Sequence, residues 1–395
     1  MTITKGIWSA LAAAAALVML HSCEETEHDE TVSVSIKTVE ADYRASNQYV
    51  TVNADCDWTL SIEFDGDLEW ASLSETSGSG DKRDIVLDWD QNPNTSPRSL
   101  VITVKGTRTS AVCQFQQKAA PDALSGQAAT LKSDPVPAWL ELPATDDPNL
   151  FYINHFQEYK GQTIRHHSLY LDPREHVSLW VAYPLVPWNF NGAASRSDEW
   201  GLDPKVPRKD QAVIFSAFHR GTLNSYVRGH QLPSYERTYS HEANVKTFYG
   251  TNMTPQLWDF NGGVWVDMEQ HVRDWAKQFD TLYVVTGCTI DGCQDYAYDN
   301  DGKAVAVPTG YYKALLGYKK SKSVGITSQT GGYTGIGYYL EHFKDYPSNY
   351  NLNNDRMTID ELEKITGVDF FVNLAAQVGR DKADVVESTL DPWWK

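Results

Sequence analysis

A histidine lies between two arginines in the segment 227–237, which reads Val-Arg-Gly-His-Gln-Leu-Pro-Ser-Tyr-Glu-Arg. Hydrolysis of a phosphodiester needs an activated water, stabilisation of charge on phosphorus and help for the departing oxygen. Histidine has the unperturbed pKa that suits a general base near neutral pH, and arginine is the forked donor that phosphate prefers. We therefore interpret His230 as a candidate base with Arg228 and Arg237 beside phosphate, although a lone histidine is more often structural or at the surface.

A second polar group lies on a helix that we expect from Asn261 to about Phe279. Its buried face is predicted from apolar residues at helical spacing: Val264, Met268, Val272 and Trp275. At about 100° per residue, Glu269 and Arg273 follow Asn261 around one exposed flank. The flank would then carry an amide, a carboxylate and a guanidinium together. The alternatives are a helix cap for Asn261 and an i,i+4 ion pair for Glu269 and Arg273.

The order of motifs in this region resembles the DNA/RNA non-specific endonucleases, the sugar-non-specific members of the ββα-metal nucleases. The matching motifs are Arg228-Gly-His230, Pro233, Glu236-Arg237, Asn252-Met-Thr-Pro-Gln256, Asn261-Gly-Gly-Val-Trp265 and Glu269. The resemblance continues through Val307-Pro308 and Tyr311-Tyr312-Lys313 to 359–371, so it spans most of 140–385.

The resemblance implies a role for each matched residue. His230 would be the general base, and Asn261 would bind Mg²⁺, or another divalent cation such as Mn²⁺, with Glu269 holding metal-bound water. An amide as the sole direct protein ligand suits Mg²⁺, which keeps most of its waters. Asn252 would contact substrate, and we expect Arg228, Arg237 and Arg273 to form a basic cleft around His230. The implied substrates are DNA and RNA.

One position departs from the family pattern, because Val227 stands where the family has Asp before Arg-Gly-His. The loss of that carboxylate would alter metal affinity or the orientation of His230. A nuclease fold that has lost activity and only binds is therefore an alternative.

The chain divides at about residue 120. Short runs of alternating apolar residues between 31 and 118 predict an all-β, immunoglobulin-like sandwich. Asp57-Trp58, Trp70, Arg98 and the closing Gln-Phe-Gln-Gln resemble the "Bacteroidetes-associated carbohydrate-binding often N-terminal" (BACON) domain. That resemblance implies glycan contact or a spacer, and a glycan-binding lipoprotein is a further alternative function. We interpret Trp58 and Trp70 as core residues rather than a glycan platform.

A linker, 119–136, leads to the nuclease-like region, 137–395, for which we expect an α+β domain. The family resemblance implies a central antiparallel sheet in it.

The N-terminal residues predict export. Lys5 precedes an apolar run at 7–20 that is too short to span a bilayer, so residues 1–22 are typical of a signal peptide. Leu20-His-Ser-Cys23 resembles a lipobox, which implies lipidation of Cys23 and a membrane-anchored protein, periplasmic or on the cell surface. An ordinary secretory signal is the alternative. Residues 23–30 are interpreted as a polar tether.

Composition bounds the function classes. The 395 residues carry 52 acidic and 34 basic side chains, a net charge of −18. This argues against a basic nucleic-acid coat protein and against electrostatic binding to anionic lipid. Apart from Cys23, four cysteines remain, and the pairs Cys56–Cys113 and Cys288–Cys293 are either disulfides or buried thiols.

Overall fold

A computed structural model describes residues 29–66, 69–92, 96–119, 130–218, 226–321, 325–392 and 394. The predicted signal peptide and Cys23 lie outside the described residues. No helix within the described ranges is long and apolar enough to cross a membrane.

Strands make up the regular structure of the described residues between 29 and 119. They are β1 Val32–Ile36, β2 Glu40–Ala41, β3 Ser46–Ala54, β4 Asp57–Phe64, β5 Ala71–Leu73, β6 Ser77–Ser79, β7 Lys82–Trp89, β8 Arg98–Lys105 and β9 Ser110–Gln117. One sheet has the order β1-β3-β7-β5 and the other β2-β9-β8-β4-β6. The alternating runs predicted between 31 and 118 are strands here.

The two sheets share one apolar core, and residues 29–119 are called the sandwich below. Alternate residues of β4 and β7 are buried, because successive side chains of a strand point to opposite faces. Trp58 and Trp70 both lie in this core, as interpreted from the sequence.

The rest of the chain, residues 130–394, is called the nuclease-like part. Its strands are β10 Phe151–Tyr159, β11 Gln162–Asp172, β12 Val177–Leu185, β13 Tyr226–His230, β14 Met253–Leu257, β15 Thr281–Thr289, β16 Tyr296–Tyr298, β17 Ala304–Ala306, β18 Gly310–Tyr318, β19 Tyr333–Glu341 and β20 Arg356–Met357. The central sheet has the order β10-β11-β12-β15-β18-β19-β20, and all its neighbours are antiparallel. The expected α+β class and central antiparallel sheet are confirmed.

Helices cover both faces of the central sheet. They are α1 His241–Lys246, α2 Trp258–Phe260, α3 Val266–Ala276, α4 Ile359–Thr366, α5 Leu374–Val378 and α6 Arg380–Ser388. One core contains the apolar face of α3, and a second core contains residues of α4, α5 and α6. Helix α4 begins at a capping box of Thr358 and Glu361 and ends at Gly367, whose φ of 70° is one that glycine adopts without strain.

The helix expected to begin at Asn261 begins earlier and is interrupted. Helical backbone starts at Trp258, passes through a π-helical turn over Asn261–Trp265, and ends at Ala276. Gly263 has a non-helical ψ of −113° within that turn. The predicted buried face of this helix is nevertheless buried throughout. Asn261 is therefore an internal residue at a kink, and the helix-cap alternative is wrong.

The four described cysteines are free in the structure. The Cys288 thiol is buried and lies 3.6 Å from the carbonyl oxygen of Ser178. The Cys293 thiol lies 3.0 Å from the carbonyl oxygen of Asp295.

Candidate active site

A two-stranded ribbon, β13 and β14, carries the Arg-Gly-His segment. The two strands are antiparallel and paired over five residues, with His230 opposite Met253 and Arg228 opposite Pro255. A side chain at Gly229 would overlap the side chain of Gln256, which explains why glycine stands between the two functional residues. The ribbon therefore fixes Arg228 and His230 two residues apart on one strand.

His230 lies in an aromatic pocket and is only 8% exposed. Its ring is 5.0 Å from the ring of Phe248 and 5.7 Å from that of Trp200. Burial lowers the pKa of His230 well below its ordinary value, and the nearby charges of Arg196 and Arg228 lower it further. The imidazole is therefore neutral at neutral pH. Its Nε2 atom is buried without a hydrogen-bond partner among the described residues.

Asn252 holds the chain that follows His230. Its Oδ1 accepts the Leu232 N–H at 2.9 Å, and its Nδ2 donates to the carbonyl oxygens of Leu232 at 2.9 Å and Thr247 at 2.8 Å. The side chain is fully buried. The expectation that Asn252 contacts substrate is therefore wrong, because backbone groups already use the amide and no surface of it is open.

Arg237 is also internal, with 1% of its surface exposed. Its guanidinium donates to the carbonyl oxygens of Glu236 at 2.7 Å and His166 at 2.6 Å and lies over the ring of Tyr183. The expectation that Arg237 contacts phosphate is therefore wrong. The turn Ser234–Arg237 directs this side chain into the protein.

Arg228 lies at a cavity of about 660 Å³, whose wall also includes Val227, Trp258 and Asn261. Its guanidinium is stacked 3.9 Å from the ring centre of Trp200, and its Nη1 donates to the carbonyl oxygens of Ile214 and Phe215. Burial lowers the pKa of Arg228 to about 10, which leaves it charged at neutral pH. The structure thus brings Arg228 and Asn261 to one cavity.

Arg196 was missed from the sequence. It lines the same cavity, donates to Asp198 at 2.7 Å and to Ser234 Oγ at 3.2 Å, and its charge acts on both His230 and Glu269. Arg196 lies in the irregular segment between β12 and β13, where no periodicity or motif in our reading marked it.

Glu269 and Arg273 form the expected i,i+4 pair, with Nη1 of Arg273 3.9 Å from Oε2 of Glu269. Arg273 is internal, with 7% of its surface exposed, and lies over the Tyr235 ring, whereas 15% of the Glu269 side chain is exposed. Burial raises the pKa of Glu269 to about 7; the charge of Lys313 opposes this and that of Glu236 adds to it. The expected exposed flank is therefore corrected at Arg273, which is buried, whereas Asn261 and Glu269 are partly exposed.

Lys313 and Glu236 complete this internal charged group and were not among the predicted site residues. The Lys313 ammonium is fully buried, donates to Thr286 Oγ1 at 3.1 Å and lies 4.6 Å from the Trp265 ring centre. The Trp265 indole N–H in turn contacts the backbone oxygen of His230 at 3.4 Å. One available signal was a lysine inside the apolar strand sequence Tyr-Tyr-Lys-Ala-Leu-Leu.

The donor set suits a metal that keeps most of its water. In the described part of the chain, no three His, Cys, Asp or Glu residues lie together as a metal-binding group. The Asn261 amide is partly exposed at the cavity, and no hydrogen bond to its side chain is found among the described residues. A hydrated hard cation fits these groups better than zinc, which takes several nitrogen or sulfur ligands.

A neutral buried histidine, two arginines and an open amide define a site suited to phosphate esters. The family model of the DNA/RNA non-specific endonucleases matches residues 147–377, more than half of the chain. The chain therefore belongs to the DNA/RNA non-specific endonuclease family.

Relatives with nuclease names share this region. The chain is 30% identical over 225 residues to the mitochondrial nuclease EXOG of Xenopus laevis, covering 55% of this chain and 58% of that protein. It is 32% identical over 205 residues to a nuclease of Nostoc sp., covering 50% of this chain and 68% of that protein. Its identity to endonuclease G of Homo sapiens is 29% over 224 residues, covering 54% and 69%. The chain spans less than two thirds of the length of the EXOG relatives.

Proposed function

We propose that the protein is an exported, Mg²⁺-dependent endonuclease that hydrolyses phosphodiester bonds of DNA and RNA. The observation that carries the proposal is the buried, neutral His230 with an unpartnered Nε2, placed beside the charges of Arg196 and Arg228. Membership of the family and the nuclease names of the relatives support the same activity.

Each residue of the site has a stated task. A neutral imidazole can accept a proton, so His230 takes one from the water that attacks phosphorus. Arg228 and Arg196 bind the non-bridging phosphate oxygens. Burial, with a further contribution from these two positive charges, lowers the pKa of His230 and keeps it unprotonated between turnovers. Arg273 is held against Glu269 and positions that carboxyl group. Asn252 and Arg237 support the chain around His230 rather than the substrate.

Asn261 would hold Mg²⁺, or Mn²⁺ in its place, with Glu269 contacting metal-bound water. Bound there, the cation would supply positive charge to the phosphate oxygens as negative charge develops on them. Burial raises the pKa of Glu269 to about 7, and a cation beside this carboxyl group would lower the pKa again. The ionised carboxylate and the cation would therefore stabilise each other.

Residues 1–30 and the sandwich extend the proposal. We propose that residues 1–22 are removed, that Cys23 carries lipid, and that the enzyme works at a membrane surface outside the cytoplasm. We also propose that the sandwich is an immunoglobulin-like, BACON-like domain. The packed strands of residues 32–117 support this assignment. Since Trp58 and Trp70 are both core residues, neither is a candidate for contact with glycan.

Digestion of single-stranded DNA, plasmid DNA and RNA, with and without EDTA, tests the activity. We expect His230→Ala to lower the cleavage rate about a hundredfold or more, the scale of a lost general base. His271→Ala, at an exposed position of α3, is the matched control and should cleave as the wild type does. Near-normal cleavage by His230→Ala would remove this residue from the mechanism. Undiminished cleavage in excess EDTA would contradict the metal, and no cleavage by the wild type would favour an inactive, Val227-bearing nuclease fold.

A further inference from the structure

The sandwich touches the nuclease-like part beside the site. Glu199 of the nuclease-like part accepts hydrogen bonds from the Tyr43 hydroxyl at 3.0 Å and from the Arg44 Nε at 3.1 Å. On its own side, Glu199 is also paired with His241 at 2.9 Å. The Glu199 carboxylate is almost fully buried, whereas its partners Arg44 and His241 are about half exposed. The contacts of Tyr43 and Arg44 fix the sandwich at the edge of the cavity.

The cavity lies between the two parts of the chain. Nine of its lining residues belong to the sandwich and nine to the nuclease-like part. The nuclease-like wall contains Arg196, Arg228 and Asp198, which is paired with Arg196, whereas the charged residues of the sandwich wall are all acidic: Glu69, Asp88 and Asp90. A wall with a small excess of positive charge therefore faces an acidic wall across the cavity that Arg228 and Asn261 of the proposed site line.

The two walls are near enough to interact. Burial lowers the pKa of Arg228, and the negative charge of Asp90 on the sandwich opposes that shift. Glu69 and Asp88 are exposed, so their carboxylates remain available to a molecule in the cavity.

We propose that the sandwich forms the second wall of the substrate site and restricts it to single-stranded nucleic acid, with phosphates toward Arg196 and Arg228 and bases toward the acidic sandwich wall. This inference rests on the proposed nuclease function and names the substrate form that the same site accepts.

The chemistry of the walls supports this orientation. Carboxylates accept hydrogen bonds from base amino groups such as N4 of cytosine, whereas they repel phosphate. A single strand can present phosphates to one wall and bases to the other. A duplex exposes phosphates of both strands on its outside, about one charge per 1.7 Å of axis, and would bring some of them against the acidic wall.

The size of the cavity leads to the same conclusion. A volume of about 660 Å³ lies within the range typical of small-molecule pockets, about 300–1,000 Å³. Such a space holds one or a few nucleotides. A double helix, with a major groove alone about 12 Å wide, needs an open groove instead.

Cleavage of a fluorescent 30-residue oligonucleotide, single-stranded or annealed to its complement, tests the inference with the full chain and Mg²⁺. We expect the single strand to be cleaved about tenfold faster or more, since like charges forced together across an interface weaken binding strongly. Anisotropy of the same oligonucleotides in EDTA should show the same order of binding.

Two sets of variants locate the cause in the sandwich. Tyr43→Phe with Arg44→Ala removes the contacts to Glu199 without changing the nuclease-like part, and we expect it to reduce the preference to about threefold or less, as the second wall is released. Glu69→Gln with Asp88→Asn removes the two exposed charges of the wall, leaves Asp90, and should also reduce the preference. Asp57→Asn with Glu63→Gln removes two exposed charges from the other sheet, away from the cavity, and should leave the preference unchanged.

Each outcome decides the question. Equal cleavage of both substrates by the wild type, or an unchanged preference in both variant sets, would overturn the role of the sandwich while leaving the nuclease function intact. A preference reduced equally by the Asp57 and Glu63 control would show a general charge effect and would also overturn it. Absence of cleavage of either substrate would overturn the proposed function itself, and with it the inference.

Discussion

Replacement of Asn252 by alanine separates a supporting role from a role in substrate binding. The motif that contains Asn252 predicted contact with substrate, whereas the structure shows its amide bonded to the backbone groups of Leu232 and Thr247. Asn252→Ala removes three hydrogen bonds to Leu232 and Thr247 and leaves their buried backbone groups without those partners. At about 1 kcal/mol net for each bond, the free energy of unfolding should fall by about 3 kcal/mol.

This loss is measurable as a shift in the melting temperature. For a domain of this size, 1 kcal/mol corresponds to about 2–4 °C, so we expect Tm to fall by about 6–12 °C. The Leu232 segment follows His230 directly, so cleavage should also decline, through misplacement of the base. Asn353→Ala is the matched control, because Asn353 is exposed, and its Tm should stay within about 2 °C of the wild type.

Differential scanning calorimetry and initial cleavage rates at two substrate concentrations give the two readouts. A wild-type Tm together with a raised KM would refute the supporting role and would show that Asn252 contacts the substrate. A lowered Tm with an unchanged KM at low temperature is the result that the structure requires.

Three further predictions follow from the site, its support and the N-terminus. Asn261→Ala should raise the Mg²⁺ concentration for half-maximal cleavage, and Glu269→Gln should raise it less; an unchanged Mg²⁺ titration of Asn261→Ala would remove it as a ligand. Burial raises the pKa of Asp203, but the charge interaction with His155, together with hydrogen bonds from His155, the Lys205 backbone N–H and Thr251, outweighs that effect and lowers it. Its stabilisation is therefore present above the ordinary Asp pKa of about 3.9 and is lost as pH falls through the lower folded value. Asp203→Asn should cost about 3 kcal/mol at pH 7 in chemical denaturation, and this cost should shrink progressively as pH falls below about 3.9; a cost independent of pH would contradict the linkage. Cys23→Ser should move the protein from washed membranes to the soluble fraction, and retention would point to another anchor.

The sequence predicted the elements whose pattern is long and regular. Alternation along Asp57–Phe64 and Lys82–Trp89 was sufficient, since one face of each strand is buried. Strands of two or three residues, such as Glu40–Ala41, were missed because so few residues carry no periodicity. The π turn over Asn261–Trp265 was missed because the spacing of apolar residues predicts a helix but does not show a local change in its backbone.

Residue types in the site were predicted better than their surroundings. A motif identifies Arg237 and Asn252 but does not state whether the side chain faces solvent or the core. Their burial depends on the turn at 234–237 and on the segment after His230, and both are tertiary features. Lys313 is a different case, because the sequence already showed a charged residue within an apolar strand. The structure explains its burial, since the carboxyl groups of Glu236 and Glu269, from other elements, compensate its charge.

The positions of the arginines bear on how a protein with a net charge of −18 would bind nucleic acid. Of the three arginines expected to form a basic cleft, Arg237 and Arg273 are internal, and Arg228 alone reaches the cavity, where Arg196 joins it. Arg196 is itself paired with Asp198, so the local excess of positive charge is small. The protein would contact only a few phosphates of a substrate held there. The surrounding acidic surface would repel the other phosphates along the substrate. The charge distribution therefore favours short contact with a flexible strand over extended binding along a rigid duplex, because only a flexible strand can direct its remaining phosphates away from that surface.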